Sequence, residues 1–535
     1  MERYIEAGTW AQELEKRDSP LTARLLAACQ TSTLTDDRRS QYRQTIARFV
    51  ELFGPDRPVA IVRSPGRLNV LGMHIDHRGG FVNPMALTQE VVLVFSPAAD
   101  DLIDVENLNS AFGRRTFRVA DVKPPQPLPD LDSWLDWTQG LHTRRAERGV
   151  TSDWAHKLAG PCAYLAGVLA PDRELKGFCG VMTGNIMQRV GLSSSSAVVV
   201  ATMLAATTVN GIEIDMRQQV ERCGIAEWYV GTRGGFGDHA AILCGRAGQL
   251  LRVRTVPELV VAGYTPFPQE YRLLVFHSGF AADKTGGAGD TFNERTATYD
   301  LAEMLAERHL QEQHPELWKE LGEARRHLPN PKPMHLGDIA ERLSAAEVYA
   351  LLNTIPERAD RDTLRRLLPD RHEDLRRQFA THREPPEGYP LRFVLLYGIA
   401  ECARAERGGD FLAAGDVVGF GRLMTVSHDG DRVSGLSEKL HRLKTQLDTS
   451  LPLWEQPGDY ACSTKEVDAM VDVALGTGAL GAQISGAGLG GSVMALVHED
   501  HKIALVRAMH EHYYRANDIE PRYLEAVPSA GATVV

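Results

Sequence analysis

Apolar residues recur at helical spacing through the first 50 positions and then change to short apolar runs. Pro58 ends the helical pattern, the run at 59–62 is typical of a buried strand, and residues 64–66 have the composition of a turn. Further strands are predicted at 90–97, 177–182, 271–277 and 493–497, and further helices at 154–169, 198–209, 214–231, 391–426 and 436–446. Strands and helices do not alternate regularly as they do in a βαβ protein, so an α+β fold is expected.

Residues 296–385 are rich in Glu, Arg and Leu at helical spacing and are interrupted by prolines. This composition is typical of a set of solvated helices, and it also fits a surface for a protein partner. At 535 residues the chain is too long for one ordinary core, so at least two domains are expected.

Charge and cysteine content narrow the class of protein. The net charge of −11 argues against a nucleic-acid partner, so cations that bind phosphate must act locally. The seven cysteines are odd in number and include no CxxC pair, which fits a reducing compartment and argues against a structural zinc site. The N-terminus has no signal-peptide pattern and no apolar run reaches about 18 residues, so we expect a cytoplasmic protein with no membrane partner.

The most informative stretch is 189–197, in which Gly191 and Leu192 precede four serines, Ser193, Ser194, Ser195 and Ser196. The apolar run that follows predicts a helix that begins at the serines. Serine hydroxyls commonly cap helix starts, and the free amides and dipole of such a start also bind phosphate. These nine residues alone leave both interpretations open, a helix cap and a phosphate site.

A second glycine-rich turn, at 485–492, contains GxGxxG at Gly486, Gly488 and Gly491. A dinucleotide-binding turn needs a strand before it and a helix after it. Here the predicted strand at 493–497 follows the glycines, which argues against that interpretation. A turn that lets backbone approach a phosphate or a substrate remains compatible with the sequence.

Residues 65–77 place several polar groups in a short segment. His74, Asp76 and His77 suggest a metal site, but their spacing is not that of a helical zinc pair and no third ligand group is evident. The same residues could brace a tight loop. A polar substrate cleft is the favoured interpretation, because Arg67 and Asp76 offer a cation and an acceptor for hydroxyl groups.

Two carboxylates flank a third glycine-rich turn at 231–237. Glu227 ends a helix within the stretch at 214–231 that has helical character, and Asp238 comes just after the turn, where it would face a cleft. Asp238 could also cap the next helix, which is the usual role of a lone aspartate at that position. His239 is interpreted as structural, because adjacent side chains rarely converge on one site.

Taken together, these stretches resemble the GHMP small-molecule kinases, and within them the galactokinase family, over residues 41–535 in order. The galactokinase signature is matched by residues 65–69, Gly72, His74, Asp76 and 82–87. The serine loop at 191–197 resembles the second family motif, which holds the nucleotide phosphates, and residues 485–492 resemble the third. A further galactokinase stretch is matched by Glu401, Arg404, 420–424, Ser427 and His428.

The resemblance implies a two-domain GHMP kinase fold with the active site between a ribosomal-S5-like N-terminal domain and a ferredoxin-like C-terminal domain. The implied limits are a helical extension at 1–40, an N-terminal domain at 41–265 and a C-terminal domain at 266–535, with a helical insertion near 310–390. ATP and Mg²⁺ are the implied cofactors, and a small-molecule sugar is the implied substrate.

The resemblance also implies roles for particular residues. Asp238 matches the catalytic aspartate that accepts the proton of the sugar's anomeric hydroxyl. Arg67 matches the arginine that polarises this hydroxyl and the transferred phosphoryl group. Glu227 and a loop serine, Ser195 by alignment with Ser196 as the alternative, match the Mg²⁺ ligands. Sugar contacts are implied for His74, Asp76 and Gly235, and nucleotide contacts for Gly191, Leu192, Ser193, Ser194, Ser195, Ser196, Gly486 and Gly488.

Two positions that face the sugar depart from the family pattern. Met73 stands where the family has a glutamate that hydrogen-bonds the 6-hydroxyl, and Phe292 stands where it has a tyrosine that contacts the 4-hydroxyl. The loss of such polar contacts changes specificity strongly.

The implied activity is ATP-dependent phosphorylation of the anomeric hydroxyl of galactose or a related sugar. Met73 makes galacturonate the sharper expectation, because loss of an anion near C6 relieves the repulsion of a sugar carboxylate. Arabinose and fucose would not need the glutamate either. A non-catalytic sugar sensor on the same fold is the alternative, and the presence of Arg67, Glu227 and Asp238 argues against it.

Overall fold

The structure of the protein is a computed structural model that describes residues 4–150, 153–188, 190–231, 235–280, 287–328 and 332–535. The strands β1 to β14 are Ile5–Glu6, Pro58–Asn69, Pro84–Pro97, Leu102–Asn107, Arg114–Arg118, Phe178–Gly184, Gln249–Arg254, Val260–Pro266, Tyr271–His277, Gly481–Ser485, Ser492–His498, Tyr523–Ala526, Pro528–Ser529 and Thr533–Val534. Strands and helices mix irregularly along the chain, which confirms the α+β class.

Most of the helices lie where the apolar spacing predicts them. The α-helices α1 to α20 are Ala7–Glu13, Pro20–Cys29, Asp36–Phe53, Val119–Val122, Leu131–Glu147, Ala155–Tyr164, Ser194–Val209, Met216–Glu227, Gly237–Cys244, Gly287–Gln313, Pro315–Ala324, Leu336–Arg342, Ala345–Thr354, Arg361–Leu367, His372–Phe379, Leu391–Ala413, Val417–Asp431, Glu438–Thr445, Lys465–Gly476 and Glu499–Met509. Short π and 3-10 segments extend α6, α8 and α20.

The larger sheet has the strand order β1-β2-β3-β6-β4-β5, with β14 beside β2 and β13 beside β3. Strand β2 is apolar on both faces because each face is covered. Ala60 and Val62 belong to the main core, whereas Val59 and Ile61 pack in a second cluster with the N-terminal helices. Helix α7 packs against β2 and β3, so the serine loop at its start lies beside these strands.

The turn predicted at 64–66 is wrong. These residues continue β2, which runs from Pro58 to Asn69, and the register with β3 shifts between Pro65 and Arg67. A shift of this kind re-aims a side chain without ending the strand. Arg67 follows the irregularity, and its backbone amide donates to the carbonyl of Leu192, 3.2 Å away.

The smaller sheet is antiparallel with the order β10-β11-β9-β12 and packs against α19 and α20. Its β9 strand, Tyr271–His277, lies where the sequence predicts it. The glycine turn joins β10 to β11 as an antiparallel pair. A dinucleotide-binding turn requires a helix after the glycines, whereas the described chain continues as β11. The GxGxxG pattern therefore belongs to a hairpin.

The two ends of the chain meet on the larger sheet around a buried carboxylate. Glu90 accepts hydrogen bonds from Arg38 of α3 and from Arg63 of β2, each at 2.8 Å. Nη1 of Arg63 also donates to the carbonyl oxygens of Ala530 and Gly531. The final strands thus join the sheet of the N-terminal half, although the resemblance groups them with a domain at 266–535.

The described part of the chain contains no disulfide, no cluster of metal-binding side chains and no membrane-spanning helix. All seven cysteines are buried free thiols. Among the described residues, no cluster of three or more His, Cys, Asp or Glu side chains could hold a metal ion. None of the described helices combines the length and the apolar character needed to cross a bilayer.

Candidate active site

The serine loop and the glycine hairpin form the walls of one cavity of about 290 Å³. Gly191 and Gly486 lie against each other, since a Cβ on Gly191 would be 3.2 Å from the Cα of Gly486. Both adopt positive φ, +78° and +86°. The backbones of two glycine-rich segments therefore line one space, and glycine-rich turns of this kind commonly bind anions. The lining residues include Arg67, Gly191, Leu192, Ser193, Ser194, Ser195, Ser196, Glu227, Asp238, His239, Gly486 and Ala487.

Gly488 does not line this cavity within the described structure. A Cβ there would lie 2.4 Å from the carbonyl oxygen of Cys462, so the residue packs the hairpin onto its neighbour. The nucleotide contact implied for Gly488 is therefore not supported by its position. Arg189, which opens the serine stretch, lies outside the described residues.

The capping interpretation of the serines does not hold. Ser193 occupies the N-cap of α7 in the left-handed region, with φ 54°, and its side chain makes no capping hydrogen bond. Its hydroxyl donates to Asp238 instead, and the hydroxyl of Ser196 donates to Oε2 of Glu227 at 2.8 Å. The hydroxyls thus bind the two carboxylates that flank the third glycine turn, and the first amides of α7 stay free of side-chain caps.

Glu227 ends α8 as predicted and is buried, with only 5% of its surface exposed. Burial raises the pKa of this carboxyl, but contacts with His239, Ser195 and Ser196 outweigh burial and lower the pKa overall. Nε2 of His239 lies 3.0 Å from Oε2 of Glu227. His239, interpreted from the sequence as structural, therefore contacts the carboxylate that is implied to bind the metal. Its position next to Asp238 in the sequence gave no indication of this contact.

Arg67 and Asp238 form an ion pair at the mouth of the cavity. Nε of Arg67 donates to Oδ1 of Asp238 at 2.6 Å, and Nη1 donates to the carbonyl of Gly191 at 2.5 Å. Asp238 lies in the first turn of α9, whose N-cap is Phe236, so it does not cap the helix. About a third of its side chain is exposed, toward the cavity.

A second cavity of about 430 Å³ adjoins the first. Five residues line both: Arg67, Gly235, Asp238, Gly486 and Ala487. The second cavity is otherwise lined by residues of the first motif and by apolar side chains, among them Asn69, Met73, His74, Asp76, His77, Trp228, Phe236, Val256, Phe292, Thr296 and Tyr460. The Arg67–Asp238 pair therefore stands at the junction of an anion-binding space and a mixed polar and apolar space.

Asp76 and Gly235 meet in the second cavity. A Cβ on residue 235 would lie 2.2 Å from Oδ2 of Asp76, so any larger residue there would displace the Asp76 carboxylate. Nδ1 of His77 lies 3.0 Å from Oδ1 of Asp76. Burial raises the pKa of Asp76, but His77 and Arg67 outweigh it and the net shift is downward, which keeps an anionic acceptor in the cavity. Asp76 and Gly235, for which the resemblance implies sugar contacts, thus line the same cavity.

The loop that carries Met73 and His74 is held from beneath by buried carboxylates. Oε1 of Glu401 accepts from the amides of Gly72 and Met73, both at 2.9 Å. Nε2 of His74 lies 3.4 Å from Oδ2 of Asp431, whose side chain is fully buried. Glu401 was matched to the family by sequence without a role, and Asp431 was missed, since nothing in the sequence links it to His74.

The two departures from the family pattern both lie in the second cavity. Met73 is 2% exposed and packs with the core of the smaller sheet. Phe292 lies in α10. The cavity thus has apolar side chains at both positions where the resemblance implies polar contacts with a sugar.

Three family models match the chain in the order of its motifs. The galactokinase galactose-binding signature matches residues 47–97, the GHMP kinase N-terminal domain residues 162–246, and the GHMP kinase C-terminal domain residues 410–515. These ranges hold β2 and β3, the serine loop with Glu227 and Asp238, and the glycine hairpin. The fold and the site together define a GHMP kinase.

Galactokinases are similar to this chain over nearly its whole length. The galactokinase of Streptomyces coelicolor is 25% identical over 91% of this chain and 96% of its own length, and that of Chloroflexus aurantiacus is 27% identical over 91% and 96%. The Lactococcus lactis galactokinase, solved in complex with galactose, superposes with a TM-score of 0.62 at 20% identity, over 91% of this chain and 98% of its own. The chain carries the galactokinase galactose-binding signature together with both GHMP kinase domains, and it is a phosphotransferase that acts on an alcohol group.

Proposed function

We propose that the protein is an ATP-dependent sugar 1-kinase that phosphorylates the anomeric hydroxyl of a neutral sugar with the galactose configuration. The observation that carries the proposal is the Arg67–Asp238 pair at the junction of the two cavities. A nucleotide in the first cavity and a sugar in the second would meet at this pair. Phosphoryl transfer depends on such positioning and on local charge.

The transfer is a single in-line displacement. The anomeric oxygen forms a bond to the γ-phosphorus while the bond from this phosphorus to the β,γ-bridging oxygen breaks, and ADP leaves with the bonding electrons. Asp238 accepts the hydroxyl proton as general base. Arg67 holds Asp238 through Nε, and its guanidinium stabilises the negative charge on the transferred group.

The nucleotide phosphates bind to backbone amides of the serine loop and of the glycine hairpin. The first amides of α7 carry no side-chain cap and lie at the positive end of the helix dipole. In a chain of net charge −11, such neutral donors and Arg67, the one arginine or lysine among the described residues that line this cavity, provide the local attraction that the overall charge lacks.

The residues around Glu227 fit a bound Mg²⁺. The ion prefers oxygen ligands and is commonly held by one or two carboxylates together with substrate phosphates. Glu227 supplies an ionised carboxylate beside the phosphate cavity, and Ser195 and Ser196 both place hydroxyls against it. Ser195 is the better ligand candidate, because Ser196 is buried whereas Ser195 is partly exposed. When bound, the ion neutralises charge on the β- and γ-phosphates.

We infer a neutral sugar from the charges in the second cavity. Among the described lining residues, the guanidinium of Arg67 is the one permanent cation, and it already pairs with Asp238. His74 and His77 each lie beside an aspartate. A desolvated sugar carboxylate would find no unpaired arginine or lysine among these described residues, so the lining that they form favours galactose or arabinose over galacturonate. Arabinose fits Met73 best, because it has no 6-hydroxyl to bury against an apolar side chain.

An assay of ADP release tests the proposal. With Mg²⁺-ATP and a panel of galactose, arabinose, fucose and galacturonate, we expect release that depends on a neutral sugar. A chain that binds these sugars but turns over none of them would be a sensor and would refute the kinase. Preference for galacturonate would refute the inferred neutral substrate alone.

Glu227→Gln tests the metal site. Loss of the charged ligand should raise the Mg²⁺ concentration for half-maximal activity by at least about tenfold. Activity titrations with Mg²⁺ at saturating ATP and sugar measure this shift. Glu221→Gln on the same helix, whose side chain is about one-third exposed, is the matched control and should leave the titration unchanged. Equal Mg²⁺ dependence in both variants would remove Glu227 from the metal site.

Met73→Gln tests the apolar contact near C6. A neutral amide offers the 6-hydroxyl a hydrogen bond without burying a charge. We expect the ratio of kcat/KM for galactose to that for arabinose to rise about tenfold, the equivalent of one hydrogen bond of about 1.4 kcal/mol. Met73→Leu keeps the apolar surface and should keep the parent ratio. A folded Gln variant with the parent ratio would show that residue 73 does not face C6.

A further inference from the structure

Arg78 follows the loop that carries His74 and Asp76, and it lies outside the proposed chemistry. Its side chain is only 3% exposed, yet it is not a cavity-lining residue. Both terminal nitrogens of its guanidinium have partners within the protein, whereas Nε has none among the described residues. Nη1 donates to Asp300 and, at 3.1 Å, to Oε2 of Glu303, and Nη2 donates to the carbonyl of Thr296 at 3.2 Å.

All three partners of Arg78 lie on α10. Its guanidinium carbon also lies 4.9 Å from the ring centre of Tyr299 on the same helix. One buried cation thus contacts successive turns of α10 through backbone, carboxylate and aromatic groups. A planar guanidinium with several fixed donors can make such contacts together, whereas an ammonium cannot.

The helix that Arg78 holds supplies one wall of the second cavity. Phe292 and Thr296, from the N-terminal part of α10, both line that cavity. Thr296 connects the two features directly, because it lines the cavity while its carbonyl accepts from Arg78. The position of this wall relative to Asp76 therefore depends on the side chain of Arg78, two residues after Asp76.

The helical insertion after α10 supports the same contact. The amide of Gly337 donates to the carbonyl of Arg78 at 3.0 Å. Nζ of Lys332 donates to Oε2 of Glu303 at 2.6 Å. Nη2 of Arg325 holds this segment by donating to both carboxylate oxygens of Asp338, at 2.6 and 2.7 Å. The segment at 332–338, for which the family resemblance gives no role, packs against the rear of the loop.

We propose that Arg78 is a positioning residue that sets the distance between the Asp76 loop and the α10 wall, and so determines affinity for the sugar. This inference rests on the proposed function of the second cavity as the sugar site. Arg78 touches neither Arg67 nor Asp238 among its described contacts, so it acts on the sugar and not on the nucleotide. A displacement of about 1 Å in such a wall is enough to change rates by up to about a hundredfold.

Arg78→Met is the direct test. We expect the KM for the sugar, and its Kd measured by calorimetry without nucleotide, to rise by about tenfold or more, while the KM for ATP stays within about twofold. Arg78→Lys should be intermediate, because an ammonium can pair with Asp300 but cannot also hold the Thr296 carbonyl. Unchanged sugar Kd in a folded Met variant, or an equal rise in both KM values, would overturn the proposal.

Two further variants separate positioning from folding. Arg38→Met removes another buried, paired arginine on the far side of the larger sheet, and it should lower the unfolding temperature without changing the sugar Kd. If Arg78→Met does not fold, Asp300→Asn provides the test. Asp300 is a quarter exposed, and its replacement by asparagine weakens the same contact with Arg78. It should raise the sugar Kd about threefold, and no rise would overturn the proposal.

The sugar Kd measured by calorimetry keeps this inference distinct from the kinase proposal, because it does not depend on turnover. A parent protein that binds a sugar of the panel but does not phosphorylate it refutes the kinase, and the Arg78 variants still report on sugar affinity. A parent that phosphorylates a sugar whose Kd is insensitive to Arg78 refutes only the positioning role. A parent that binds none of the sugars refutes both.

Discussion

Asp238→Asn is expected to lower kcat by about 10²- to 10⁴-fold, the usual contribution of a general base. The amide keeps the size of the side chain and one acceptor oxygen, but it cannot take the proton of the anomeric hydroxyl. It also faces two donors, Nε of Arg67 and the hydroxyl of Ser193, with only one oxygen. Steady-state kinetics on the preferred sugar measure the loss.

Sugar and ATP binding should survive this change, because Asp238 is one of many lining residues. Asp130→Asn, a replacement of an exposed helix cap on α5, is the matched control and should retain parent turnover. Turnover near that of the parent in Asp238→Asn would refute the base assignment. The result would then leave orientation of the hydroxyl as the remaining role for this residue.

Arg67→Met should lower kcat by about 10²- to 10³-fold, the loss seen when one preorganised donor to a developing charge is removed. Arg67→Lys should recover part of the rate, since it retains the charge but not the fork that reaches both Asp238 and the Gly191 carbonyl. Turnover of the Met variant equal to that of the parent would exclude Arg67 from the transition state.

A double variant separates the two roles. Residues that act as a unit lose rate non-additively, so Arg67→Met combined with Asp238→Asn should fall little further than Asp238→Asn alone. Fully multiplicative losses would show that the ion pair does not act as one unit. The same kinetic assay measures all three variants.

The sequence was most informative where a local pattern has one structural outcome. The apolar run at 271–277 forms β9 with the predicted bounds, and Glu227 ends α8 as expected. Three motifs, at 65–69, 191–197 and 485–492, occur in the family's order along the chain and carried the resemblance to it. Such features depend on neighbours along the chain, which a sequence displays directly.

Contacts between distant segments were not accessible in this way. Asp431 approaches His74 from α17, and His239 reaches Glu227 across a glycine turn. The composition of Ser193 to Ser196 suggested caps, but Asp238 and Glu227 compete for two of these hydroxyls. Turn composition at 64–66 was overridden because β3 pairs with β2 on both sides of the irregularity. In each case a partner remote in sequence decides the outcome.

The identity of the reaction product tests the central claim most directly. After incubation of the protein with Mg²⁺-ATP and the sugar that gives the fastest ADP release, phosphorus NMR and a reducing-end assay locate the phosphate. We predict one sugar 1-phosphate for each ADP, with the reducing end lost in the same proportion. Phosphate on any other hydroxyl, or ADP formed with free phosphate alone, would contradict the geometry at Arg67 and Asp238.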